Sequence, residues 1–234
     1  MISGAGLLGT ALAGFTAEPA AAATWQRVPG SLKHVSVASN GSVWGVNQSD
    51  EIYRRSGNVW IREAGHLKQV SVGSGSLIWG VNANNAVYHR RNNAWEQILG
   101  RSLAQVSVGA DGTVWGISAA SLIYRFVGTG WSQVPGTLRQ ISVGSASQIW
   151  GVGALGRIYR RRGNAWELVA GTLAQVAVAP DGTVWGVDAF NRIYRRNQRQ
   201  GHWVRIDGRL KQISVGSATR VWGVTPENRI YRFV

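Results

Sequence analysis

Residues 25–60 read WQRVPGSLKHVSVASNGSVWGVNQSDEIYRRSGNVW, a stretch of short apolar runs separated by turn formers and bracketed by Trp. The runs LKHVSVAS, GSVWGVN, DEIYRR and NVWIRE alternate with period two and are rich in Val, Ile, Trp and Tyr, which predicts four short strands. Asn40-Gly41 between the first two and Gly57-Asn58 between the last two supply residues that tolerate a positive φ in a tight turn. The same unit recurs to the end of the chain. A first Trp stands at Trp25, Trp60, Trp95, Trp131, Trp166 and Trp203, a spacing close to 35 residues. A second, always followed by Gly, stands at Trp44, Trp79, Trp115, Trp150, Trp185 and Trp222, with a Tyr nine residues later at Tyr53, Tyr88, Tyr124, Tyr159, Tyr194 and Tyr231. These series use all 12 Trp and all 6 Tyr of the 234 residues, so the chain after residue 23 is one repeated unit and not a mixture of domains.

Six hairpin-linked meanders of equal length hide their edges best around a ring, so the reading is an all-β, six-bladed β-propeller with four-stranded antiparallel blades over residues 24–234. The innermost strand repeats Val-Ser-Val, as in Val35-Ser36-Val37, which makes one face bulky and the other thin. The chain starts on a lone fourth strand, Thr24 to Val28, and stops on a third, Arg229 to Val234. The opening strand is therefore expected to complete the last blade, which removes the exposed edge.

Residues 1–23, MISGAGLLGTALAGFTAEPAAAA, carry no Lys or Arg. Their apolar run, too short to span a bilayer, suits an export signal with small residues Ala21 and Ala23 before Thr24, although the basic leading region of such signals is missing. The expectation is a secreted or surface protein without a transmembrane segment. The alternative for residues 1–23 is a disordered or weakly helical appendage.

The unit W-x-x-V-P-G-x-L-K-x-V-S-V, followed by G-x-V-W-G-V-N and I-Y-R-R, resembles the tectonin repeat over Thr24 to Val234. The resemblance implies a β-propeller lectin, a family that includes lipopolysaccharide-binding tachylectins, fish-egg lectins and fungal proteins that bind O-methylated glycans. It implies sugar binding at several places around the ring, without catalysis or cofactor. It transfers no binding residue, because the recurring columns are mostly architectural.

The residues themselves offer three candidate sets. The first Trp series, on the outermost strand, can present aromatic faces to sugar C–H groups or pack as core; the Trp-Gly series fits core packing better. Two residues after each Tyr stand Arg55, Arg90, Arg161 and Arg196, replaced by Phe126 and Phe233 in repeats three and six. Such an Arg shares a face with the Tyr and can clamp a carboxylate, phosphate or pair of hydroxyls, or can stack on aromatic rings between blades. Asn47, Asn82 and Asp188 open the loops after the Trp-Gly-Val segments and can meet hydroxyls at one face of the ring. The last loop position, Asp50, Asn85, Gly156, Asn191 and Asn228, supplies a left-handed turn.

Lys and Arg outnumber Asp and Glu by 25 to 11, a net charge of +14, which favours anionic partners, whether acidic or phosphorylated glycans, lipid headgroups or nucleic acid, without choosing among them. There is no Cys, hence neither disulfides nor thiolate metal chemistry. His34, His66, His89 and His202 fall in four different columns and form no recurring metal set, and no paired carboxylates or Ser-His-Asp spacing is visible. A non-enzymatic, multivalent binder of cell-surface glycans is expected, with no nucleic acid as partner. A protein-interaction scaffold and an electrostatic binder of anionic surfaces remain as alternatives.

Overall fold

A computed structural model describes residues 24–234; the export segment expected over residues 1–23 lies outside them. The described residues form six four-stranded antiparallel sheets, the propeller read from the repeat. Blade 1 runs outward through β2 (His34–Val37), β3 (Val43–Val46), β4 (Glu51–Ser56) and β5 (Val59–His66). Blades 2 to 5 repeat this order. Blade 6 takes its outermost strand from the other end of the chain, for β1 (Trp25–Ser31) pairs with the strand Arg229–Phe233, Trp25 opposite Phe233 and Val28 opposite Ile230.

In blades 1, 3 and 5 the hairpin between the two inner strands is a small polar clip. Gly41, Gly112 and Gly182 take positive φ of 90°, 83° and 84°. The Asn or Asp before each keeps ordinary φ, and its side-chain oxygen accepts the amide two residues on, at Ser42, Thr113 and Thr183. At the other end of the strands the last loop position is left-handed, with φ 63° at Asp50, Asn85 and Asn191 and 65° at Asn228.

The core lies between blades, in six clusters that each join one blade to the next. Trp44, Val46 and Ile52 of blade 1, for example, pack on Leu67, Val70, Val72 and Ile78 of blade 2. All six Trp of the Trp-Gly series are buried. Their Gly partners are packing residues. A Cβ on Gly45 would stand 2.4 Å from Leu32 Cδ1, and the same collision recurs at Gly80 with Leu67, so backbone approach is used up by the protein's own Leu.

Along the axis, adjacent innermost strands are joined through side chains. The carboxamide of Gln105 accepts the Ile141 amide at 3.0 Å and donates to the Ile141 carbonyl at 3.1 Å, as a peptide group of a neighbouring strand would. Gln69, Gln140, Gln175 and Gln212 do the same to Val106, Val176, Ile213 and Val35. Two residues along the same strand, the Ser of each Val-Ser-Val accepts the next blade's Val amide, as Ser36 does from Val72 and Ser107 from Val143. The thin face read from the pattern is thus a hydrogen-bonding face. Two positions break the rings. His34 replaces Gln in blade 1 and Ala177 replaces Ser in blade 5, so no side chain of these blades reaches the amides of Val70 and Val215.

Candidate functional site

The first Trp series works as a set of inter-blade clamps with partly open rings. Trp60 Nε1 donates to the Pro29 carbonyl of the neighbouring outer strand at 2.9 Å, and its ring lies 3.1 Å from where a Cβ on Gly30 would be. Gly30 has φ of 110°, a backbone only Gly adopts readily, so the chain bulges to admit the indole. Trp95, Trp203 and Trp25 donate likewise to Ala64, Ala170 and Asp207. Trp131 and Trp166 have enclosed Nε1 atoms without a partner. Each of the six rings is half-buried.

Into the space between these Trp and the buried Trp-Gly series projects the column two residues after each Tyr. Arg161 lies 5.7 Å from the Trp115 ring of blade 3 and 5.2 Å from the Trp166 ring of its own blade. Arg196 lies 5.5 Å from both Trp150 and Trp203. Arg55 sits 5.2 Å from Trp60, and Arg90 sits 5.0 Å from Trp44. Phe126 and Phe233 fill the same wedge, against Trp79 and Trp131 and against Trp185 and Trp25 respectively. The column is therefore a wedge between blades, for which either a guanidinium plane or a phenyl ring serves.

The Arg grooves differ in charge. Glu63 binds Arg90 at 2.6 Å and Arg54 at 2.9 Å, so that groove is neutralised from within. Arg55, Arg161 and Arg196 have no carboxylate partner among the described residues, and enclosed nitrogens of Arg55 and Arg196 have no hydrogen-bond partner. Burial, followed by repulsion from a nearby Arg (Arg232, Arg125 and Arg160 in turn), lowers the pKa of all three. Such sites favour a ligand that brings negative charge or directed acceptors. Cavities of about 400 and 370 Å³ flank blade 4 here; Arg161 lines both, with Trp115 and Arg125 in the first and Trp150 and Arg160 in the second.

Asn47, Asn82 and Asp188 stand at the opposite end of the strands, so the structure does not bring them together with the Arg set. Asn47 Oδ1 accepts the Ser49 and Glu51 amides, and Asn82 Oδ1 accepts those of Asn84 and Ala86. Asp188 is buried, accepts the Phe190 and Arg192 amides and pairs with Arg192 Nε at 2.6 Å. Burial alone would raise its pKa, but these hydrogen bonds hold it below the usual carboxylate range. All three side-chain oxygens are engaged in shaping their own loops. Sequence reading missed the division of the Arg column into open and neutralised grooves; Glu63, present in only one repeat at its position beside Arg54, was the available signal. Among the described residues no group of three or more His, Asp or Glu is placed to hold a metal ion.

Comparison with known proteins agrees with this architecture. The model of the tectonin domain matches three times, over residues 15–94, 78–163 and 153–234. No curated protein sequence matches. Among solved structures, a gluconolactonase from Xanthomonas campestris is similar at a TM-score of 0.68, with 9% identity over 91% of this chain and 90% of that one. YCF48 from Cyanidioschyzon merolae is similar at 0.61, with 14% identity over 89% and 98%. A YCF48 described as bound to D1 peptide is similar at 0.55, with 18% identity over 87% and 78%. At these identities the likeness is one of fold.

Proposed function

From the premise that this chain belongs to the tectonin family, we propose that it is a non-catalytic, multivalent carbohydrate-binding protein acting on cell-surface glycans outside the cell, with a preference for acidic or phosphorylated sugars. The observation that carries the proposal is the recurrence, between blades, of a half-open Trp ring beside an Arg that has no carboxylate of its own. A sugar ring would stack on the indole while Arg55, Arg161 or Arg196 directs its donors at a carboxylate, phosphate or vicinal hydroxyls. Three such grooves on one ring raise avidity on a dense surface through effective concentration, without any single strong site. The neutralised Arg90 groove and the two Phe wedges would contribute less to acidic ligands.

The test follows from the chain's own variation. Replacing Arg55, Arg161 and Arg196 together by Phe copies what repeats three and six already contain, so the wedge is kept and only the cation is lost. Loss of acidic-glycan binding on an array, with an unchanged melting temperature, is the expected result. Retained binding, or no glycan bound by the wild-type protein, defeats the proposal.

A second reading, a protein-interaction scaffold, draws on the YCF48 propeller described as bound to a peptide. Binding to a target surface that survives glycosidase treatment and is abolished by protease treatment would favour it.

A further inference from the structure

The ring is its own control: a feature present at one junction and absent from the equivalent positions marks a site that the shared architecture does not require. At the face bearing the loops between second and third strands, Lys33, Lys68 and Lys211 each bond to the left-handed residue of their own blade, Asp50, Asn85 and Asn228. Blades 3 and 5 carry Ala104 and Ala174 at this position and have no cation to satisfy. Blade 4 alone has a cation, Arg139, opposite a Gly, Gly156. The Arg139 side chain is exposed, and its guanidinium has no hydrogen-bond or ion-pair partner among the described residues, whereas the three Lys are half-buried.

The unpaired Arg139 lines a cavity of about 440 Å³ between blades 4 and 5. Ala174 also lines it, where Lys68, Arg139, Lys211 and Lys33 would occupy the equivalent position of four other junctions. The two loops at its sides present Leu155, 78% exposed, and Phe190, 67% exposed. The corresponding loops of blades 1, 2, 3 and 6 read NQSD, NANN, SAAS and TPEN and carry no large apolar side chain. Arg192 lies 5.1 Å from the Phe190 ring, fixed by its pairing with Asp188. That pair cancels in charge, which leaves Arg139 as the net positive group.

We propose that this cleft is a single-copy binding site for a small soluble anionic amphiphile, a phosphate or carboxylate bearing a short alkyl or aromatic group. Arg139 takes the anion by paired hydrogen bonds, and Leu155 and Phe190 cover the apolar group. Two large apolar side chains exposed together beside an unpaired cation describe such a ligand and no polar sugar, and the volume falls within the range of small-molecule pockets. The site lies at the opposite end of the strands from the Arg–Trp grooves and is independent of what those bind.

Calorimetric titration with hexyl phosphate, inorganic phosphate and hexanol tests it. Hexyl phosphate should bind at least about tenfold more tightly than either fragment, because both halves of the cleft are then used. R139A should abolish the advantage over hexanol. The double variant L155S/F190S should abolish the advantage over inorganic phosphate, and both variants alter exposed side chains, so melting temperature checks that the ring is intact. Equal hexyl phosphate binding by wild type and either variant overturns the proposal. So does binding only to phosphatidylglycerol vesicles with none to hexyl phosphate, which would make the cleft a membrane-facing patch.

Discussion

Five junctions of the ring are joined at the axis by a Gln carboxamide, and the sixth, between blades 1 and 2, has His34 in its place. The five show how a propeller can substitute for backbone pairing where the innermost strands of adjacent blades belong to separate sheets: one side chain supplies both a donor and an acceptor to the next blade. The sixth shows what that is worth. His34 Nδ1 is enclosed without a partner, although the residue as a whole is half-buried on the channel wall. Burial first, and then the Lys33 charge, lower its pKa from 6.5 to about 4. Apolar packing of the junction is like that of its neighbours, as Trp44 and Ile52 pack on Leu67 and Val70, so the difference is confined to hydrogen bonding and protonation.

Acid should break the comparison most strongly. His34 is neutral in the folded ring and titrates near its ordinary value when unfolded, so the unfolded state binds more protons between the two values. Its contribution is complete above pH 6.5, is lost as pH falls towards 4, and amounts to about 3 kcal/mol. Chemical denaturation across that window should show the loss in the wild-type protein and a much flatter profile in H34Q. Next in size, Gln140→Ala should cost about 2 kcal/mol, because the Val176 amide and carbonyl lose a shared partner near the axis; a denaturant midpoint unchanged from wild type would mean that channel water replaces the carboxamide. H34Q itself, which gives the weak junction the side chain of the other five, should stabilise the protein at pH 8 by about 1 kcal/mol. Ala177→Ser, which restores a hydroxyl opposite the Val215 amide, should add about 0.5 kcal/mol, measurable as a small rise in melting temperature.

The ring could be read from the sequence because Trp, Trp-Gly and Tyr mark, in every unit, the same three places in the packing between blades. Ring closure could be read because the first and last strands are the two missing parts of one blade. The Gln seam could not, although the Gln column is as regular as the Trp columns apart from His34. Its meaning depends on the backbone atoms of a strand about 36 residues away, and a column of polar residues beside Val-Ser-Val looks the same whether it faces solvent or a neighbour. The Arg column was legible as two alternatives, clamp or stacked wedge. Geometry shows the stacked position directly, and it separates Arg90, held by Glu63, from the three without a carboxylate. Asn47 and Asp188 stand beside the Trp-Gly-Val strands, where the sequence suggests exposed polar groups, but their short side chains turn back on their own loops, as Asx residues commonly do.

Where the chain's two described ends meet, Thr24 donates to the Val234 carbonyl at 2.8 Å and Val234 donates back to Thr24 at 2.9 Å. A covalent link there would be short, and a cut in any exposed hairpin would then yield a circularly permuted polypeptide with the same six inter-blade contacts. The position of the termini would set which blade is assembled last, and so the kinetics of folding, while leaving the finished ring unaltered.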